Sequence, residues 1–308
     1  MSRLAAVDVG TNSVLLLVAQ RTADGALRPV REEAEITRLG RGVDRTGLLS
    51  AEGMEATLEV LARFAALARE DGARALVVTA TSAARDARNG DEFLTRAADR
   101  TGARVEILSG DEEARLSYLA VSHDFAAEAG EAGLLAIDVG GGSTEFIHGR
   151  GPQVLFRRSL DIGSVRLTER CVRGDPPALA EQEAIRQLVR GALATLPAFP
   201  GEVRVVGVAG TVTSLFAIGH AIEPYDAARV QGGWLPLEEV VRVRTRLCAL
   251  PLAERRVLPG MQPRRADVLP AGALLFETAL AHLRASGARV SDRGLRWGIL
   301  LDRWETLG

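Results

Sequence analysis

The chain has 308 residues, with 38 basic and 40 acidic side chains and a formal net charge of −2. Apolar residues make up 47% of the chain, enough to build buried cores, so a disordered protein is excluded. No lysine occurs, which excludes Walker-type phosphate loops, Schiff-base enzymes and protein kinases. At roughly 100–200 residues per domain, the length predicts two domains.

The same composition limits the compartment and the partners. Two cysteines, Cys171 and Cys248, are too few for a disulfide framework or a cysteine zinc site, and they fit a reducing cytoplasm. Polar residues from Asp8 to Ser13 interrupt the first apolar stretch, which argues against a secretory signal or a membrane span. The near-zero net charge gives no basic field for nucleic acid. We therefore expect a cytoplasmic protein with no membrane or nucleic-acid partner, whose polyanion site, if any, is a local arginine patch.

The first half of the chain opens with a hairpin pattern. An apolar run leads to Asp8 and a glycine-containing turn, and a second apolar run follows over residues 14–19. Apolar residues at helical spacing then predict a helix over 51–70. The elements predicted after this helix are a strand over 75–79, a helix over 91–100, a strand over 104–108 and a helix over 112–121. Strands that alternate with helices in this way predict an α/β fold.

The second half opens by repeating the hairpin. The segment Ala5–Ser13 recurs as Leu135–Ser143, at an offset of 130 residues. A repeat this long indicates two related α/β domains rather than a solenoid. Beyond it, the pattern predicts a strand over 203–208 and helices over 179–196, 235–250 and 266–285, with Asp267 interpreted as the cap of the last helix.

Each hairpin turn combines an aspartate with glycine and small hydroxyl residues. Backbone N–H groups in such a turn converge on an anion, and the carboxylate can hold a divalent cation beside that anion. A single turn of this kind is equally well explained by a structural hairpin whose aspartate bonds its own loop. The duplication, together with three consecutive glycines at 140–142 that permit very close backbone approach, favours two phosphate-binding loops.

Three further segments are candidates for the same chemistry. The run Gly207–Ser214 passes from a strand into a helix whose first N–H groups can face an anion. The segment Ser109–Arg115 opens a helix capped by Ser109 or Asp111, and its acidic residues are either helix-dipole partners or a catalytic carboxylate. Arg85 follows a strand, where its guanidinium can bind phosphate bidentately or simply face solvent.

Taken together, these segments resemble the exopolyphosphatase/guanosine pentaphosphate phosphohydrolase (Ppx/GppA) family, part of the actin, heat-shock-protein and sugar kinase superfamily. The resemblance covers almost the whole chain in eight ordered motifs: AAVDVGTNS, TSAARDARN, SGDEEARLSYLAV, AIDVGGGSTEF, LDIGSVRLTE, GVAGTVTSL, GMQPRRADVLPAG and VSDRGLRWGIL. It implies two ribonuclease-H-like domains, with the active site in the cleft between them. The implied domains are 1–125, completed by 292–308, and 126–291, as in the short two-domain members of the family.

The resemblance also implies roles for individual residues. Glu113, the second glutamate of the Glu-Glu-Ala-Arg motif, is implied to be the general base that activates water. Asp138 and Glu145, with Asp8 facing them, are implied to hold a Mg²⁺ or Mn²⁺ ion. The positions implied to bind phosphate or to support the site are Asp8, Gly10, Asn12, Ser13, Arg85, Gly140, Gly141, Gly142, Ser143, Thr144, Arg166, Gly210, Thr211 and Arg265.

The chain departs from the family pattern at two positions. Many relatives carry an arginine or histidine where this chain has Leu15, so that contact is lost or supplied by another arginine. The C-terminal motif usually reads Arg-Glu-Gly, and Trp297 stands in place of its acidic residue. Any role for that acid therefore does not transfer to this chain.

The implied function is metal-dependent hydrolysis of the terminal phosphoanhydride of inorganic polyphosphate, by in-line attack of water that releases orthophosphate. Guanosine pentaphosphate 5′-phosphohydrolase is the alternative within the same chemistry, and the motifs do not separate the two. A superfamily kinase or ATPase and a non-catalytic polyphosphate-binding regulator are more remote alternatives, because no sugar-specific signature occurs and Glu113, Asp138 and Glu145 are intact. The oligomeric state is left open, with a homodimer as one option.

Overall fold

A computed structural model of the chain describes residues 2–23, 25–199 and 203–307. These residues form two compact units. The first unit runs as far as Ala120 and takes in the segment from Leu295 onward, whereas the second unit is Val121–Gly294. Each unit contains its own mixed β-sheet flanked by helices, which confirms the predicted α/β class.

The first unit is built on a five-stranded sheet. Its strands are β1 (Arg3–Val9), β2 (Ser13–Arg21), β3 (Leu27–Ile36), β4 (Ala75–Ala80) and β5 (Val105–Ile107). They lie in the order β3-β2-β1-β4-β5, with β1 antiparallel to β2 and β2 antiparallel to β3. β1, β4 and β5 are parallel, so their carboxyl ends meet at one edge of the sheet.

Five helices follow the strands of this unit, the last of them crossing the boundary at Ala120. They are α1 (Val43–Thr46), α2 (Ala51–Glu70), α3 (Ser82–Asp86), α4 (Gly90–Thr101) and α5 (Gly110–Asp124). α2 has the predicted bounds because Ser50 caps its first turn: its side chain accepts a hydrogen bond from the Gly53 N–H. Its apolar face buries Leu58, Leu61 and Ala65.

The two faces of the first sheet bury different residues, as expected for the two-residue period of a strand. On one face, Val7 and Val9 of β1 pack with Leu58 of α2. On the other face, Leu4 and Ala6 belong to a cluster with residues of the final helix of the chain. The sheet is therefore covered on both sides, and β1 is packed from both faces.

The second unit is built on a six-stranded sheet. Its strands are β6 (Leu134–Val139), β7 (Thr144–Arg150), β8 (Gln153–Leu160), β9 (Arg204–Val208), β10 (Trp234–Pro236) and β11 (Gly287–Ser291). They lie in the order β10-β11-β9-β6-β7-β8. β6, β9 and β11 are parallel, so this sheet also gathers its carboxyl strand ends at one edge.

Helices of the second unit enclose one large core, in which Ile137 and Phe146 of the β6–β7 hairpin pack with Leu215 and Leu274. The helices are α6 (Ser164–Cys171), α7 (Leu179–Leu193), α8 (Ala209–Gly219), α9 (Ala227–Val230), α10 (Leu237–Ala249), α11 (Leu252–Arg255) and α12 (Leu269–His282). Single turns of 3₁₀ helix occur at Ala126–Glu128 and Pro263–Arg265. The final helix, α13 (Leu295–Leu307), belongs to the first unit. No helix within the described ranges has both the length and the apolar character needed to cross a membrane.

Two of the helices begin later than predicted. The helix predicted from residue 235 begins at Leu237, because Trp234–Pro236 pairs with β11 as a short strand. The helix predicted from residue 266 begins at Leu269 after Val268, which gives no side-chain cap, so Asp267 does not cap it. A proline in the first turn suits the observed start, since its missing N–H has no helical partner to lose there.

Candidate active site

The two predicted phosphate loops have the same backbone geometry, one loop in each unit. In the β1–β2 hairpin, the Gly10 N–H donates a hydrogen bond to the Ser13 carbonyl at 2.9 Å. In the β6–β7 hairpin, the Gly140 N–H donates to the Ser143 carbonyl at 3.1 Å. The sequence repeat is therefore also a structural repeat, and both predicted hairpins form.

The carbonyl groups of the first loop are held from behind by the segment that follows β3. The Arg38 N–H donates to the Asn12 carbonyl at 3.0 Å, and the Gly40 N–H donates to the Thr11 carbonyl at 2.8 Å. A side chain on Gly40 would collide with Thr11. The N–H groups of Thr11 and Asn12 have no partner among the described residues. The loop thus uses its carbonyls internally and offers N–H groups to an anion.

The second loop is held in the same way by the first turn of α6. The Ser164 N–H donates to the Gly140 carbonyl at 3.0 Å, and the Val165 N–H donates to the Gly141 carbonyl at 2.9 Å. Arg166 adds a side-chain bond, from Nε to the Gly142 carbonyl at 2.8 Å. A side chain on Gly163 would collide with the backbone of Gly141 and Gly142. The Gly141 and Gly142 N–H groups are left without partners in the described part of the chain, as in the first loop.

Two carboxylates flank the second loop. Asp138 and Glu145 are direct partners in the β6–β7 pairing, so their side chains lie on the same face of the sheet. Both are buried, with 9% and 1% of their surface exposed. Ser159 on β8 donates from Oγ to Glu145 Oε1 at 2.7 Å, which orients that carboxylate. Two carboxylates on one face suit Mg²⁺, which proteins usually hold through one or two carboxylates together with phosphate and water oxygens.

The first hairpin has only one of these carboxylates. Asp8 pairs across the hairpin with Leu15, where the second hairpin has Glu145. Within the described residues, the structure forms no group of three or more His, Cys, Asp or Glu side chains able to hold a metal ion. A metal bound to Asp138 and Glu145 would therefore take its other ligands from phosphate and water.

Glu113 and Arg85 lie together at the carboxyl edge of the first sheet. Arg85 belongs to the short helix after β4, and Glu113 lies in the first turn of the helix after β5. Arg85 Nη1 donates to the Leu108 carbonyl at 2.9 Å and to Glu113 Oε2 at 3.3 Å. The side chains of Arg85 and Glu113 are 25% and 13% exposed. The sequence had indicated both residues separately, without showing that they contact each other.

The other residues of this acidic helix start have structural partners. Ser109, one of the two proposed caps, accepts a hydrogen bond on Oγ from the Glu112 N–H at 3.2 Å. Arg115 bonds both carboxylate oxygens of Glu112, at 2.7 and 2.9 Å. The hydrogen bond from Arg115 holds the pKa of Glu112 below its usual value. The structural interpretation therefore applies to Glu112, and Glu113, which contacts Arg85, is the catalytic candidate.

The start of α8 holds the remaining predicted site residues of the second unit. β9 ends at Val208, beside Asp138, and Ala209 turns the chain with a positive φ of 69°. A side chain on Gly210 would collide with the Arg265 guanidinium, so this arginine lies directly over the first turn of α8. Burial lowers the pKa of Arg265, while Tyr225 and Asp292 act in the opposite direction.

Three residues that the sequence did not indicate support the site: Ser159, Gly163 and Gly272. Gly163 lies within the motif LDIGSVRLTE, and Ser159 immediately precedes it. This motif is therefore the sequence feature that could have identified both residues. Gly272 ends the motif GMQPRRADVLPAG, and a Cβ there would lie 2.7 Å from Thr211 Cγ2 and 3.1 Å from Ser164 Cβ. This glycine lets α12 approach the starts of α8 and α6.

The structure thus places the predicted site residues at two sheet edges. Those of the first unit are Asp8, Gly10, Asn12, Ser13, Arg85 and Glu113. Those of the second unit are Asp138, Gly140, Gly141, Gly142, Ser143, Thr144, Glu145, Arg166, Gly210, Thr211 and Arg265. The Thr144 hydroxyl is engaged in structure, since Oγ1 donates to the Ile162 carbonyl at 2.6 Å.

Known proteins resemble this chain over nearly its whole length. Residues 17–307 match the model of the Ppx/GppA phosphatase family. The chain is 40% identical over 319 residues to Exopolyphosphatase 2 of Mycobacterium tuberculosis, covering 98% of each chain. It is 28% identical to Exopolyphosphatase 1 of Mycobacterium leprae, covering 99% of this chain and 90% of that one.

Solved structures extend the similarity to the fold. The crystal structure of the Aquifex aeolicus member of the Ppx/GppA family has a TM-score of 0.82 at 34% identity, covering 99% of this chain and 98% of that one. That of an exopolyphosphatase from Cytophaga hutchinsonii has a TM-score of 0.88 at 26% identity, covering 100% of this chain and 99% of that one. The actin-like fold type implied by the resemblance is thereby confirmed. The chain belongs to the Ppx/GppA phosphatase family and is a phosphoanhydride hydrolase.

Proposed function

We propose that this chain is an exopolyphosphatase, which removes the terminal phosphate of inorganic polyphosphate as orthophosphate. The observation that carries the proposal is the full-length similarity to Exopolyphosphatase 2 of Mycobacterium tuberculosis. The two loops support it, because each has N–H groups that no described residue accepts a hydrogen bond from, and such groups bind phosphate.

Charge neutralisation is the first requirement of the reaction, since the oxygens around the attacked phosphorus repel a nucleophile. We assign the loop N–H groups at 11–12 and 141–142 to the phosphates of the substrate. Arg85, Arg166 and Arg265 supply the positive charge, in a chain that contains no lysine. A guanidinium binds phosphate bidentately, which fixes the orientation of the chain end as well as its charge.

The metal proposal is based on the buried pair Asp138 and Glu145, which share one face of the sheet. We propose that they hold Mg²⁺ or Mn²⁺, whose other ligands are phosphate and water oxygens. When bound, the ion polarises a phosphoryl oxygen and neutralises charge. Ser159 keeps the Glu145 carboxylate oriented through its hydroxyl.

Water activation is the second requirement, and we assign it to Glu113. A carboxylate within hydrogen-bond reach of the water accepts its proton as the oxygen attacks phosphorus in line with the leaving phosphate. General base catalysis of this kind typically contributes about 10²–10⁴-fold to the rate. Glu113 is suited to the role because it is the acidic residue of the helix start that faces Arg85, whereas Glu112 is paired with Arg115.

Parallel substrate assays test the proposal. Orthophosphate release is measured from long polyphosphate, short polyphosphate and guanosine pentaphosphate, and kcat/KM is compared. We expect the highest kcat/KM with polyphosphate. A clear preference for guanosine pentaphosphate would instead assign the 5′-phosphohydrolase activity. Transfer of phosphate to an added sugar would support a kinase, and tight polyphosphate binding without release would support a regulator. The cytoplasmic location and the homodimer stay predictions, the latter checked by light scattering during gel filtration.

A further inference from the structure

Hydrogen bonds within the protein hold the Arg85 side chain. Its Nη1 bonds both the Leu108 carbonyl and the Glu113 carboxylate, so the protein itself holds one side of the guanidinium. The Arg85 N–H also donates to the Thr81 carbonyl at 3.1 Å, which fixes the backbone at the end of α3. The protein itself therefore fixes the position of this guanidinium relative to Glu113.

The remaining nitrogens of Arg85 point elsewhere. Nε lies 3.9 Å from Asp86 Oδ1, beyond hydrogen-bond distance, and Asp86 itself accepts a bond from Ser82 Oγ at 3.3 Å. No described residue accepts a hydrogen bond from Arg85 Nη2. Because Nε faces the Asp86 carboxylate, the planar guanidinium can hold Glu113 through Nη1 and present Nη2 to a second anion.

We propose that Arg85 is a positioning residue that acts on the reaction through Glu113. Nη1 fixes the Glu113 carboxylate relative to the Leu108 carbonyl, while Nη2 binds the terminal phosphate of the substrate. Arg85 thereby sets the distance between Glu113 and the phosphorus atom that the activated water attacks. The inference rests on the proposed function, because it requires Glu113 to be the general base.

A double-mutant cycle tests this coupling. kcat and KM for polyphosphate are measured for the wild type, Arg85→Gln, Glu113→Gln and the double variant. If Arg85 acts through Glu113, Arg85→Gln lowers kcat by about 10²-fold at saturating substrate in the wild type, since misplacing a catalytic group by about 1 Å has this effect. In the Glu113→Gln background the same change lowers kcat by no more than about 10-fold, because the positioning of Glu113 is already lost and only the phosphate contact of Arg85 remains to be removed.

Charge-matched variants separate positioning from binding. Arg85→Lys keeps the positive charge but lacks the planar fork, so we expect KM near the wild-type value and kcat still lowered by at least about 10-fold. Arg88→Gln is the control for charge removal, because Arg88 is exposed and bonds the Thr46 carbonyl; its kcat should stay within about twofold of the wild type. Circular dichroism and Tm confirm that each variant folds.

The outcomes distinguish this inference from the proposed function. If Arg85→Gln lowers kcat equally in both backgrounds, or raises KM alone, Arg85 is a substrate contact only and the inference is wrong while Glu113 keeps its role. If Glu113→Gln turns over at nearly the wild-type rate, the assignment of the base is wrong and the inference falls with it.

Discussion

Asp138 lies directly opposite Glu145 across the β6–β7 hairpin, and both carboxylates are buried on the same face of the sheet. The repeated hairpin of the first unit has Asp8 opposite Leu15 at the same positions. The duplicated loops are therefore alike in backbone geometry and different in charge. This asymmetry supports the proposal that the carboxylate pair of the second unit binds the metal, and single substitutions test that proposal.

Asp138→Asn and Glu145→Gln should raise the metal concentration needed for half-maximal activity by at least about 10-fold, because each removes one of two anionic ligands. Chelation of divalent ions should abolish phosphate release by the wild type, and added Mg²⁺ or Mn²⁺ should restore it. Ser159→Ala should have a smaller effect in the same direction, since it removes only the hydroxyl that orients Glu145. Unchanged metal activation in all three variants would remove this pair from the metal site.

Glu113→Gln should lower kcat by at least about 10²-fold and leave KM and Tm nearly unchanged, because the amide keeps the shape of the side chain and cannot accept the proton. The matched control is Glu112→Gln, which makes the same change one residue earlier, at a carboxylate bound to Arg115. We expect that control to keep kcat within about threefold of the wild type, as is usual for a surface substitution away from the chemistry. Equal losses in the two variants would contradict the assignment.

The sequence alone was sufficient for features that depend on local pattern. The repeated Asp-Val-Gly segment correctly predicted both hairpins, and the apolar spacing over 51–70 gave the bounds of α2. The contact between Arg85 and Glu113 could not be predicted in this way, because the two residues are 28 positions apart and meet only when parallel β4 and β5 align. The choice of Ser109 as the helix cap likewise depended on side-chain geometry.

Gly163→Ala should disturb the second phosphate loop through backbone contact rather than through charge. A Cβ at this position collides with Gly141 and Gly142, so the loop or α6 must move. We expect kcat/KM to fall by at least about 10-fold and the free energy of unfolding to fall by about 1–3 kcal/mol, the usual effect of overpacking.

The matched control for that substitution is Gly191→Ala, on the exposed side of α7, where a Cβ meets nothing within 4 Å. Alanine is the better helix former, so this variant should be stabilised by roughly 0.5–1 kcal/mol and should keep wild-type kcat/KM. A Gly163→Ala enzyme with the kinetics of the control would show that the loop tolerates displacement, contrary to the phosphate-binding assignment.

The ion pair between Glu112 and Arg115 should make stability depend on pH in a defined direction. The hydrogen bond from Arg115 lowers the pKa of Glu112 in the folded chain below 4.5, so the pair stabilises the fold above that pH and is lost as the pH falls through the lower folded value. Glu112→Gln should therefore lower Tm by about 1–3 °C at pH 7, and the difference from the wild type should disappear on acidification below 4.5. The control is Glu59→Gln. Glu59 is an exposed residue of α2 with no ion pair among the described residues, so this variant should have the Tm of the wild type at both pH values. A Tm difference for Glu112→Gln that persists unchanged into strong acid would mean that packing, rather than charge, accounts for the contribution of Glu112.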